Sequence, residues 1–298
     1  MIVNPYRWGH AWLLVSTVVV AASVRSAPQT PDLSPVELVR AAVSNEVAAN
    51  SQSAKFMYLD RKEDEHGSST RLAIETTQAT ASMLLALDGK PLTPQQRQAE
   101  QIRLQGMLDH PEEIRKKQRA EKDDAERTMK IIRALPEAFL YEADGREPGE
   151  SGLGKPGAEL VRLKFRPNPK YQPPSRVEEV LTGMQGVVLV DAAERRIARI
   201  DGTLMKEVSF GWGIFGHLDK GGHFLVQQSE CGNSAWEISR MRLDFTGKIL
   251  IFKNLRIQST QLLSDFRPVP ANLTFAQGVK MLEEHQIELA GNHSASAQ

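Results

Sequence analysis

Three glycines in the stretch FGWGIFGHLDKGGHFLVQQ (residues 210–228), Gly211, Gly213 and Gly216, stand in the spacing G-x-G-x-x-G. That spacing can close a backbone on a dinucleotide pyrophosphate, but only where a strand precedes it and a helix opens from it, because the phosphates rest on the helix N-terminus. Here Gly216 leads into His217, a polar turn and another strand-like run, and the flanking connections are too short for parallel crossovers. No cofactor is expected. Strand alternation instead puts Phe210, Trp212 and Ile214 on one face and Gly211 and Gly213 on the other. Two same-face positions without side chains let a sheet bend or another element lie close against it. Phe210, Trp212 and Ile214 are therefore the candidate ligand-binding residues, the alternative being ordinary core under a helix.

Other donor groups in the sequence assemble into no recognised pattern. His217, Asp219 and His223 carry metal-binding or acid–base atoms, yet they match no two-histidine zinc spacing, and His217 and Asp219 fall in a turn where polar residues are common. Glu63-Asp64-Glu65-His66 reads as a hairpin tip ending at Gly67. No G-x-S-x-G elbow or Cys/His pair supplies a nucleophile. Neither catalytic nor metal-binding residues are expected. Cys231 is the single cysteine, which excludes an internal disulfide and a cysteine-based zinc cluster.

The chain has 298 residues, 41% hydrophobic and 25% charged, an ordinary globular composition. Its start differs from the rest: Ala11 to Val24 is an uncharged run of 14 residues after Arg7. Such a run is shorter than the roughly 20 residues that cross a bilayer and fits the apolar region of a secretory signal. Residues 1–26 are expected to be a signal peptide cut after Ser26, leaving no permanent membrane span and an exported protein, periplasmic or secreted. Removing Arg7 and Arg25 lowers the basic count from 37 to 35 against 37 acidic residues, a formal charge of −2. Nucleic acid, which needs a basic excess, is not an expected partner.

These residues require a scaffold. Ser34-Pro35-Val36-Glu37 opens a helix to about Ala49 with a capping serine, a proline at the first position and an acid at the third. Strand-like runs follow at 54–62, 70–77 and 81–87. Thr93-Pro94 then opens a helical hairpin, 93–135, broken at Asp109-His110-Pro111. Its second helix is charged nearly all round, with Glu112, Glu113, Asp123 and Glu126 each four residues before a cation, so its middle should face water. Val161, Leu163 and Phe165 alternate with Arg162, Lys164 and Arg166 as in a strand with one wet face, between Gly- and Pro-rich loops at 145–157 and 167–175. From Gly186 to about Ser259 the pattern is a β-meander. In it, Trp236 and Ile238 are out of phase with Met241, Leu243 and Phe245, which predicts a bulge near Ser239 or Arg240. A turn is expected at Thr246-Gly247-Lys248, a last helix from about Thr274 to His285, and a disordered tail over 291–298.

The first helix, FMYLDR, and above all MQGVVLVDAAERRIARIDGTL (residues 184–204) resemble exported bacterial proteins with the fold of the outer-membrane lipoprotein-sorting carriers. The resemblance implies a half-barrel antiparallel sheet, plugged by helices, around an apolar concavity. The whole chain also resembles a family of secreted bacterial proteins, which implies export and fold but no particular activity. The expected fold is therefore α+β: one domain over 27–290, a curved antiparallel sheet of about 9–11 strands covered by helices, with an inserted helical hairpin. The expected function is non-catalytic binding or carriage of a lipid or lipidated chain. The alternatives are an envelope scaffold that meets a protein partner through 93–135, and a hydrolase without a recognisable motif.

Overall fold

The computed structural model describes residues 33–50, 54–210, 216–232, 234–249 and 253–295, and the expected signal peptide lies outside them. Described in sequence order, the elements are α1 (Pro35–Asn50), β1 (Lys55–Asp64), β2 (Gly67–Ile74), β3 (Ala81–Leu87), β4 (Lys90–Pro91), α2 (Pro94–Asp109) and α3 (Pro111–Ala138). Then come β5 (Phe139–Pro148), β6 (Glu159–Pro167), α4 (Arg176–Glu179) with a 3₁₀ turn (Val180–Gly183), β7 (Met184–Asp191) and β8 (Arg196–Leu204). The chain ends with β9 (Val208–Phe210), β10 (Gly216–Leu218), β11 (His223–Glu230), β12 (Trp236–Ile249), β13 (Lys253–Val269) and α5 (Phe275–Ala295).

Thirteen strands among the described residues form one open sheet, ordered β4-β3-β2-β1-β13-β12-β11-β8-β7-β6-β5, with β10 pairing β12 and β9. Every strand pairing is antiparallel, from β1 with β13 through β5 with β6. The α+β class and the curved, helix-covered antiparallel sheet are as expected; the strand count exceeds nine to eleven for three local reasons. The short β4 follows the Asp88-Gly89 turn. β5 forms where a Gly-rich loop was expected from residue 145. Residues 210–216, taken as one strand, contribute two, because Phe210 of β9 pairs with Gly216 of β10. Gly216 opens a strand, not a helix, so the phosphate-binding reading of the glycines has no helix N-terminus to use.

The expected bulge is present. Gln227 pairs with Arg240 and Gln228 with Ile238, which leaves Ser239 as the extra residue, and its Oγ donates to the Gly152 carbonyl at 2.5 Å. That bulge sets the two apolar phases of β12 on the faces that need them. The turn expected at Thr246-Gly247-Lys248 does not form: β12 continues through it to Ile249, because this stretch is paired with β13 on one side and β10 on the other. The last helix reaches Ala295, beyond the end expected at His285 and into the stretch expected as tail, since no proline interrupts 275–295.

The sheet order explains the helical hairpin. β4 lies at one sheet edge and β5 at the other, so α2 and α3 must carry the chain across the sheet from edge to edge. Eleven strands in the main path extend about 48 Å along their arc, and the 28 residues of α3 span about 42 Å. Curvature shortens the chord that the helices cross. The two ends of α3 belong to separate cores. Ile114 joins Leu104, Met83, Ile74, Phe275 and Leu282 beneath α2 and α5, while Leu135 and Ala138 join Val39, Val43, Phe139, Leu163 and Val190 beneath α1. Between them the helix is largely exposed, as its charge pattern requires. The observed pairs include Lys117–Glu121 at 2.9 Å and Arg127–Asp124 at 2.7 Å, so the expected charges pair locally with shifted partners. The hairpin is thus a strap integral to the fold.

α1 is fixed by the cap expected from its sequence, Ser34 donating from its backbone N–H and its hydroxyl to Glu37 Oε2 at 2.9 and 2.5 Å. Its inner face adds a polar lock. The buried Glu46 carboxylate accepts two bonds from the Arg196 guanidinium, each 2.9 Å, and one from the Ile197 backbone N–H at 3.0 Å. Arg196 in turn lies over the Trp236 ring, 5.4 Å from its centre. On the opposite face of β6, Arg162 donates to Asp144 at 2.9 Å, and Glu147 accepts from Arg162 and Arg199, so the Arg-rich wet face is a charge-paired outer surface.

Candidate functional site

Beneath the end of α3 and the α4 and 3₁₀ segment, the sheet does not pack solid. A cavity of about 410 Å³ lies between the helix-covered face of β5–β8 and β10–β13, the last turns of α3, and the α4 and 3₁₀ segment. Of its seventeen lining residues, all but Tyr141 and Arg176 carry hydrocarbon or thioether side chains. The Tyr141 hydroxyl is satisfied by donating to the Leu135 carbonyl at 2.8 Å, and its burial raises its pKa well above the usual phenol value. Arg176 is exposed at the rim. Such a wall offers a ligand apolar contact and almost no hydrogen bonds, which suits hydrocarbon and leaves bulk water without partners.

Backbone details shape this space. Phe224 on β11 pairs across from Gly202 on β8, and a Cβ at Gly202 would come within 2.4 Å of the Phe224 ring. Phe245 covers Gly222 in the same way, again at 2.4 Å. Two cavity-lining rings therefore lie flat on the sheet because the residue under each has no side chain. A side chain at either glycine would lift its ring toward the cavity.

Of the sequence-derived candidates, Trp212 and Ile214 lie outside the described residues, as does the side chain of Phe210, whose backbone ends β9. Leu218, two residues beyond the start of β10, lines the cavity. Phe165 lines it too, and Leu243 and Phe245, which the strand alternation had already singled out, sit beside Phe224 and Ile257. Their apolar alternation was visible in the sequence, but alternation does not distinguish a filled core from a hollow one.

The polar candidates form separate pairs. His217 Nε2 is 3.3 Å from Asp219 Oδ1, and His223 Nε2 is 2.9 Å from Asp201 Oδ1. Glu207 joins the first pair, with donor atoms of Glu207, His217 and Asp219 all within 4.8 Å of one another, a set that could hold a divalent ion. It was not legible beforehand because Glu207 precedes the β9–β10 hairpin. The Asp219 carboxylate also accepts from Thr246 Oγ1 at 2.7 Å, and Glu207 from Ser209 at 3.2 Å, so these groups already serve one another. The acidic run at 63–66 forms the β1–β2 turn, as expected.

Several partly buried titratable groups lie on or beside the β1, β2 and β12 strands. Burial, reinforced by Glu75, pushes Glu237 on β12 up to about 7. Glu75 itself is raised by burial although it accepts the Phe56 N–H at 3.0 Å, and Tyr58 is raised by burial and then by Glu75. Cys231, pushed up to about 11 chiefly by burial, is an unreactive thiol at neutral pH. Glu237 has a consequence for stability. The folded protein keeps its proton up to about pH 7, whereas an unfolded chain releases it near the ordinary value of 4.5. The stabilising contribution is therefore complete below about pH 4.5 and is lost as the pH rises toward 7. Urea midpoints at pH 5 and pH 8 should show the wild type falling relative to Glu237→Gln; a difference between the two proteins that does not change with pH would count against this burial.

Compared with family models, curated proteins and solved structures, the chain matches none. What the geometry defines is a class: an open antiparallel sheet strapped by helices around an apolar cavity. No helix among the described residues is long and apolar enough to cross a membrane.

Proposed function

We propose that the protein binds or carries a lipid, or the lipidated end of another chain, with hydrocarbon laid in this cavity and no chemical change made to it. One observation carries the reading: a space of about 410 Å³ walled by hydrocarbon, with the end of α3 and the 3₁₀ segment on its helical side. A water-soluble metabolite would leave its polar groups unpaired there, at a cost of about 1–3 kcal/mol for each. Each methylene moved from water into such a site contributes about 0.8 kcal/mol, so ten methylenes contribute about 8 kcal/mol against a cost of about 4–15 kcal/mol for the freedom lost on association. The resemblance to lipoprotein-sorting carriers, with their helix-plugged half-barrel, supports the same use, and export to the periplasm or beyond would place the protein where such cargo moves.

The test fills the space. Ile257, half-buried on β13, lines the cavity, and Ile257→Trp should abolish binding of a fluorescent fatty acyl probe while the variant melts at or above the wild-type temperature. Native mass spectrometry of the wild-type protein from its own compartment should show retained lipid. Full probe affinity in a folded Ile257→Trp protein would remove the cavity from consideration. A second reading, contact with a partner protein through residues 93–135, draws support from the exposed, charged middle of α3, which lies before the cavity-lining Ile131 and Leu135.

A further inference from the structure

We infer that Glu207, His217 and Asp219 form a binding site for one divalent transition-metal ion, zinc above all, on the face of the sheet away from the cavity. The backbone puts all three on one side of the β9–β10 hairpin. Val208 pairs with Leu218 and Ser209 with His217, so alternation brings Glu207, just before β9, beside Asp219, just after β10. Val208 and Leu218 point the other way, into the apolar core, and Leu218 lines the cavity. The imidazole and the two carboxylates are thus held at the solvent side: His217 and Asp219 are half-buried and Glu207 is exposed.

The donor set selects the ion. One imidazole nitrogen and two carboxylates suit zinc and its neighbours in the transition series, whereas calcium takes about six to eight oxygens. Four ligands about 2.0–2.2 Å from zinc stand about 3.3–3.6 Å from one another. His217 Nε2 is already 3.3 Å from Asp219 Oδ1, and the Glu207 donor lies within 4.8 Å of both. An exposed glutamate closes that remaining gap by rotating its own side chain. Thr246 Oγ1 donates to Asp219 Oδ2 at 2.7 Å and Ser209 Oγ to Glu207 Oε1 at 3.2 Å, the kind of outer hydrogen bond that orients ligating carboxylates. Charge points the same way. Protonated, His217 would offset one of the two negative charges; a divalent ion offsets both and leaves the imidazole neutral. Lys248, across from His217 on β12, is exposed, so water screens its repulsion of the ion. With three protein ligands, the fourth position falls to water.

Zinc titrated calorimetrically into chelator-treated, untagged protein should bind one ion per chain, and calcium or magnesium at the same concentration should give no comparable heat. Glu207→Gln, on an exposed side chain, should weaken zinc at least about a hundredfold, since partners that only orient a ligand are themselves worth about 10–100-fold. His217→Ala should do the same, and Thr246→Val, which removes such an orienting bond, should cost about tenfold. His66→Ala, at the exposed β1–β2 turn, should change nothing. Zinc should also raise the melting temperature of the wild type but not that of Glu207→Gln. Absence of zinc binding to the wild type, or one-to-one binding that survives in Glu207→Gln or His217→Ala, would overturn the site. Neither outcome touches acyl binding, which depends on the opposite face.

Discussion

Replacing Glu46 by alanine is expected to destabilise the protein by about 3–5 kcal/mol, the usual result of removing one partner from a buried ion pair. Glu46 is 8% exposed, and its carboxylate holds both arms of the Arg196 fork together with the Ile197 backbone N–H. Without it, a guanidinium and an amide stay buried and lose those acceptors, and α1 loses its strongest polar tie to β8. Asn45, whose side-chain amide donates to the Glu194 and Arg195 carbonyls at 3.2 Å, would remain as the weaker link at that turn. The measurement is a urea titration with the slope m compared between variants, so that lost stability is distinguished from a changed unfolded state. A loss under about 1 kcal/mol would mean that the pair is solvated in solution and does not anchor α1.

The second large effect is expected at Gly202. A Cβ there would sit 2.4 Å from the Phe224 ring, closer than side chains pack, so Gly202→Ala must move the ring off the sheet. Overpacking of this kind costs about 1–3 kcal/mol. Because Phe224 lines the cavity, the displaced ring should also occupy acyl space and weaken probe binding tenfold or more. Adding Phe224→Ala to Gly202→Ala should recover part of the lost stability and the binding, and the double-mutant cycle measures that coupling directly. Additive effects would show that the ring does not rest on the glycine.

Much of the scaffold is legible in the sequence, for definite reasons. Local rules act over a few residues: the Ser34–Glu37 cap, the Thr93 cap closed by Gln96, the proline between α2 and α3, and the phase change that leaves Ser239 as a bulge. The elements that the sequence hides depend on neighbours distant in the chain. The stretch 246–248 carries turn residues yet remains strand, since β10 and β13 pair it on both sides. β5 contains Gly145 and four charged residues, weak strand material that holds as an edge strand paired along β6.

The site divides in the same way. Apolar alternation in β6 and β12 marks Phe165, Leu243 and Phe245 as inward-facing, and that much follows from the period of a strand. Whether inward-facing means packed or hollow depends on volumes summed across eight strands and three helical segments, and no single segment encodes such a sum. The charged pattern of α3 likewise says only that water surrounds its middle. Its role as a strap follows from sheet order, because β4 and β5 stand at opposite edges and the chain between them has to cross. Sequence alone determined the caps, the strand periods and the bulge. Tertiary structure alone decided the edge-to-edge crossing, the Glu46–Arg196 lock and the apolar cavity beside the end of α3, because each is set by groups that only the folded backbone brings together.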